Sequence, residues 1–137
     1  MKAICKTMVL TLTLLIAFVS VNAQDHTYNN SKQMKKILIV GRLQSNIPAV
    51  TEIGVKDIEL FSATNLEEVK SAFAKSNNQI DIVITGAGID LEVRLEIVRY
   101  VFTTSSETSV HMKDRATGPE GFLPFIKDVL RGLLGEK

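Results

Sequence analysis

The chain has 137 residues, with 16 Lys and Arg against 15 Asp and Glu, one cysteine and no tryptophan. That length suits one domain and hardly two, and the balanced charge lacks the basic excess of a general nucleic-acid or anionic-membrane binder. A single cysteine excludes an internal disulfide and any zinc site built on several thiolates.

The first 23 residues differ sharply from the rest. Lys2 and Lys6 make a basic start, residues 8–21 are nearly all apolar, and Val21-Asn22-Ala23 places small residues where a signal peptidase needs them, just before Gln24. This layout predicts a secretory signal peptide over residues 1–23. The apolar run is shorter than the ~20 residues of a spanning helix, which favours cleavage, with no stable membrane insertion afterwards. An uncleaved N-terminal anchor is the alternative. Cys5 precedes the apolar run, whereas a lipid-attachment cysteine follows it, so cleavage removes the only thiol. Export without disulfides points to a bacterial periplasm or cell envelope. Loss of Lys2 and Lys6 leaves 14 basic against 15 acidic residues.

Residues 24–34 are polar and predict a flexible arm before the fold. His26 stands alone in it and reads as solvated, not as a metal ligand. Residues 35–137 form the expected single α/β domain. Lys35 to Gly41 carries a continuous apolar run, the mark of a strand covered on both faces. In residues 42–56, Pro48 and Gly54 limit any helix to about two turns, with Pro48 in the first turn and Ser45 or Asn46 as cap. Residues 57–62 alternate polar and apolar, as in a half-exposed edge strand. Thr64-Asn65-Leu66-Glu67 has the form of a capping box, Thr64 capping and Glu67 reaching back, ahead of a helix to about Lys75.

Ile80 to Thr85 is again a continuous β-branched run, broken by Gly86-Ala87-Gly88. Asp90 follows as the expected N-cap of a helix through Phe102. On that helix Leu91, Leu95, Val98 and Phe102 form one stripe, with Ile97 and Val101 beside it, and Glu92, Glu96 and Arg99 on a solvated face. Residues 108–112 predict a short strand, 114–121 a loop, and 122–134 an amphipathic helix burying Phe122, Phe125, Ile126, Val129, Leu130 and Leu133. Strands alternating with helices imply a three-layer open parallel sheet of about four strands with helices on both faces. Right-handed crossovers set its order as 2-1-3-4.

Lys36-Ile37-Leu38-Ile39-Val40 and Ile80-Asp81-Ile82-Val83-Ile84-Thr85 resemble the first and third strands of a response-regulator receiver domain, or of the wider flavodoxin-like group, over roughly residues 35–112. The resemblance implies the same sheet but not the same chemistry. Gly41 and Arg42 stand where the family holds magnesium with an acidic pair, and Gly86 stands where it carries its phosphoacceptor aspartate. The place of the hydroxyl residue falls near Asp114, and the fifth strand with its lysine is missing. A magnesium site needs carboxylate oxygens, so the chain reads as a degenerate, truncated receiver-like domain without phosphotransfer.

Other motifs are weak. Gly86-Ala87-Gly88 lacks the third glycine of a dinucleotide fingerprint, Leu91 standing there. Gly118 and Gly121 precede a helix, where free amides favour anions, although Glu120 opposes one. His111 with Asp114 or Asp90 offers an acid-base pair, against the simpler reading of an edge-strand histidine. There is no G-x-S-x-G elbow and no zinc spacing, so neither a cofactor nor a metal is expected. Arg42, Gly86, Gly88, Asp90 and Gly118 are the candidate ligand-binding residues, because they fall at the carboxyl ends of the strands. The leading expectation is an exported non-catalytic domain that binds a partner protein or small ligand, self-association included. The alternative is an anion- or nucleotide-binding protein or small enzyme using Arg42 and the glycine turns.

Overall fold

The computed structural model describes residues 33–135. The expected signal peptide and nearly all of the expected arm lie outside the described residues. Four parallel strands form one sheet in the order β2-β1-β3-β4, with β1 at Lys35–Val40, β2 at Ile58–Ala63, β3 at Ile82–Thr85 and β4 at Ser109–Met112. β1 pairs with β2 on one side and with β3 on the other, Ile37 opposite Ile82 and Ile39 opposite Ile84. These are the two continuous apolar runs, and both are buried on both faces. β2 is an edge strand as expected, but its burial does not alternate: Ile58 and Ala63 are buried, Glu59 and Ser62 are exposed, and the half-buried Leu60 and Phe61 pack on opposite faces of the sheet.

The side-chain period of two sends alternate residues into two cores. Leu38, Val40 and Val83 meet Val69, Ala72 and Phe73 of α2 (Leu66–Lys75) and Ile97 and Val101 of α3 (Leu91–Thr104). On the other face Ile37, Ile39, Ile82 and Ile84 meet Ile53 of α1 (Val50–Ile53) and Phe122, Ile126 and Leu130 of α4 (Phe122–Leu134). Burying each such large side chain contributes roughly 1.5–3 kcal/mol. The Asp81 carboxylate accepts the Lys36 amide at 2.8 Å and the Lys35 ammonium at 2.9 Å, tying the start of β3 to β1.

Several local expectations need correction. The region after β1 holds a 3₁₀ turn at Gln44–Asn46 and then a single α-turn, capped at Ala49 beyond Pro48 and ended by left-handed Gly54. The expected capping box is displaced by one residue. Asn65, not Thr64, is the N-cap of α2, its Oδ1 accepting the Glu68 amide at 2.9 Å. Glu68, not Glu67, reaches back, its carboxylate accepting the amide and hydroxyl of Thr64 at 2.7 and 3.0 Å. Glu67 instead meets Lys70 at the surface. Asp90 does precede α3, but its side chain makes no capping hydrogen bond.

The stripe of α3 is also rotated. Leu91, Leu95 and Phe102 are exposed, and Arg94, Ile97 and Val101 face the core. Both faces of this helix are apolar, so periodicity could not choose between them. Hydrogen bonding of Arg94 to the carbonyl of Lys113 at 2.9 Å lets the arginine occupy the inner face. In α4, Leu133 is exposed and Leu134 packs in its place.

The displaced cap is directly testable. Asn65→Ala should lower stability by about 1 kcal/mol, and Glu67→Gln should change it by less than about 0.5 kcal/mol. The Glu68 carboxyl is held below its usual value of 4.5, first by the Thr64 amide and then by the Thr64 hydroxyl. A lowered folded value means that the unfolded chain takes up the proton more readily. The contribution of Glu68 is therefore present above pH 4.5 and fades as pH falls through the lowered folded value. Denaturant titrations of wild type and Glu68→Gln should differ at neutral pH and converge in acid.

Candidate functional site: a cationic crevice at the carboxyl edge

The chain leaves β1 toward β2 and leaves β3 toward β4, so the segments after these neighbouring strands part. Open α/β sheets bind ligands in the crevice made by such a reversal. Here the parting segments are Gly41-Arg42 and Gly86-Ala87-Gly88, and a cleft of about 390 Å³ lies between them and the loop after β4. Its lining includes Gly41, Arg42, Gly86, Gly88, Lys113, Arg115, Gly118 and Phe122.

Glycines make the room. A Cβ on Gly86 would lie 3.2 Å from Cζ of Phe122, and one on Gly88 would lie 3.4 Å from Cβ of Arg42. The backbone after β3 thus rests directly on a ring from α4 and on the arginine stem after β1. Gly118 turns the third wall with φ 64°, a conformation favoured by glycine.

Lys113 is the residue that strand and motif reasoning overlooked. Its backbone amide extends the β3–β4 ladder to the Thr85 carbonyl at 3.0 Å, and its side chain is 2% exposed. The ammonium donates to the Asp114 carbonyl at 3.0 Å and to the Thr117 hydroxyl at 2.7 Å. Asp114 makes this possible. Its carboxylate accepts the amides of Ala116 and Thr117 at 2.7 and 3.3 Å, folding the loop so that Thr117 returns to Lys113. Gly121 completes the fit, since a Cβ there would stand 2.5 Å from Oγ1 of Thr117 and 3.2 Å from Cε of Lys113. The only sequence signal was local: Lys-Asp directly after a strand, with Thr-Gly three residues on.

Electrostatically the cleft is one-sided. Arg42, Lys113 and Arg115 line it and no carboxylate does. Among the described residues none of the three forms an ion pair. Glu120 stands near Gly118, its Oε2 3.8 Å from where a Cβ would be, but it is not part of the lining.

Of the five candidate residues, the structure gathers Arg42, Gly86, Gly88 and Gly118 in this cleft. Asp90 instead lines an adjoining cleft of about 300 Å³ with Thr64 and Asn65, and Arg42 and Gly88 border both. His111 lies opposite Ile84 in the β3–β4 register, with Nε2 3.3 Å from Oγ of Ser109, and lines neither cleft. Asp114 is committed to its turn and Asp90 lines the adjoining cleft, so neither is shown beside His111, which lies on the edge strand as the simpler reading had it. Among the described residues no three His, Cys, Asp or Glu side chains converge on a common point. None of the described helices is long and apolar enough to cross a membrane.

No family profile, curated protein or solved structure matches the chain.

Removing the Thr117 hydroxyl leaves the buried ammonium with one fewer partner. Thr117→Val should therefore destabilise the domain by about 1–3 kcal/mol, measured by chemical denaturation. Thr117→Ser should recover most of the loss.

Proposed function

We propose that this is a non-catalytic binding domain whose ligand is a small anion-bearing molecule, of the phosphate or carboxylate class, held at the carboxyl edge of the sheet. The observation that carries the reading is the convergence of Arg42, Lys113 and Arg115 on one cleft lined by no carboxylate. A guanidinium presents paired donors that suit carboxylate and phosphate oxygens. The two arginines are exposed and can close on a ligand, while Lys113 is a fixed charge behind them. The ring of Phe122 and the glycine backbones form an apolar wall for the body of the ligand, in keeping with small-molecule sites that pair a mostly apolar lining with a few polar anchors.

The reading is of binding without turnover because His111 lines neither cleft and the Asp114 carboxylate is held by the amides of its own turn. It agrees with the receiver-like resemblance in its negative part. Where that family gathers carboxylates around magnesium, this cleft gathers cations. Arg42 and Arg115 are open to solvent, so substituting them leaves the fold intact. Thermal unfolding across a panel of pyrophosphate, sugar phosphates, nucleotides and dicarboxylates, with neutral sugars as control, tests the proposal. A ligand at a hundred times its dissociation constant stabilises by about 2.7 kcal/mol, or roughly 10 °C in a domain of this size. The shift should weaken with salt and disappear in Arg42→Ala/Arg115→Ala. Absence of a shift with every anion would sink the proposal.

We propose further that the domain acts outside the cytoplasm, on the basic, apolar and small-residue pattern of residues 1–23. Intact-mass spectrometry of the chain from its native host should find Gln24 as the first residue. A chain retaining residues 1–23 would contradict cleavage.

A further inference from the structure

β4 is the outer strand of the sheet. Among the described residues it is paired on one side only, by β3. Ser109-Val110-His111-Met112 has no Lys, Glu or Pro, the residues with which exposed edges are normally blunted. The apolar stripe of α3 lies on the same side. Tyr100 meets Phe73 of α2 edge-on at 5.6 Å, which fixes the flank of α3 that faces inward along the sheet. At 100° per residue the stripe of Leu91, Leu95, Val98 and Phe102 is centred about 170° round from Tyr100. Arg94 lies between that stripe and the core, and it reaches the carbonyl just beyond β4. The stripe therefore overhangs the open edge, with Leu91, Leu95 and Phe102 exposed by 49%, 41% and 56%.

We propose that the chain forms a two-fold dimer in which β4 pairs antiparallel with β4 of a second copy and the two α3 helices pack side by side across the axis. The geometry of the sheet favours a second copy over an unrelated strand. α3 connects β3 to β4 and so sits above the gap between them. With strands about 4.8 Å apart, an axis through a β4–β4 pair sets the two α3 axes roughly 10 Å apart, close to the distance at which helices pack.

The spacing of the stripe, four-three-four, is the same read in either direction, so antiparallel packing brings Leu91 against Phe102 and Leu95 against Val98 in both halves. Glu92 and Arg99 border the stripe on its solvent side. In the antiparallel pair Glu92 of each copy comes alongside Arg99 of the other, so the charges complement each other twice. The cationic crevice opens at the carboxyl ends of the strands, clear of this interface, so the dimer does not depend on the ligand reading.

Light scattering on the full chain after size-exclusion chromatography should give twice the monomer mass. Leu95 is exposed, so Leu95→Glu should yield a monomer with an unchanged circular dichroism spectrum. Glu92→Arg should raise the dimer dissociation constant at least tenfold, and Glu92→Arg/Arg99→Glu should restore it. A wild-type chain that stays monomeric at millimolar concentration overturns the proposal, whether the ledge is then bare or covered by the chain's own N-terminal segment. So does an oligomer that survives Leu95→Glu, or a single charge reversal that the double reversal does not rescue.

Discussion

The structure depends on one constraint: the buried apolar runs of β1 and β3, Ile37 to Val40 and Ile82 to Thr85, lie side by side while the chain leaves them in opposite directions. Burial on both faces requires helices on both faces, and the connections supply them, α1 and α4 on one side, α2 and α3 on the other. The same divergence opens the space beyond Val40 and Thr85. That space persists because Gly41, Gly86 and Gly88 put no side chains into it. The core and the crevice are two consequences of one topological choice.

Within the crevice the loop after β4 does the electrostatic work. A lysine with 2% exposure gives up most of its hydration, and here it regains donors' partners only from a carbonyl and a hydroxyl, both neutral. Buried charge is costly unless paired, so this arrangement leaves room for a further favourable interaction with an anion. Arg94 adds a second buried cation behind the first, bonded to its backbone carbonyl. The Asp114 turn, the Thr117 hydroxyl and the small residue at Gly121 together hold the ammonium in place. A proposed anionic ligand would be met by a positioned charge and not by a mobile one.

The sheet was legible in the sequence because its signals are long-wavelength. Two unbroken apolar runs, a more polar edge strand and a strongly amphipathic last helix identify the elements, and right-handed crossovers then give the order that the structure has. The glycine positions and Arg42 were legible for the same reason, since strand ends follow from strands. Finer detail failed where two local solutions compete. Thr64 and Asn65 are both good caps and Glu67 and Glu68 both good partners, so a one-residue shift is invisible without the three-dimensional turn. Helix α3 has two apolar faces, and only packing shows which of them turns outward. Lys113 was illegible because a lysine after a strand usually marks solvent, and its burial depends on how one short loop folds, on the return of Thr117 four residues on and on the missing Cβ at Gly121.

The central claim is that an anion is received between the ends of β1, β3 and β4. Backbone amide chemical shifts of the isotope-labelled chain, followed during titration with pyrophosphate, test it residue by residue. Saturable shifts should concentrate at Gly41, Arg42, Gly86, Gly88, Lys113 and Gly118, with the amides of α2 and the far end of β1 unmoved. Shifts that do not saturate, or that spread over exposed surface lysines such as Lys56 and Lys75 while the crevice amides stay still, would contradict it.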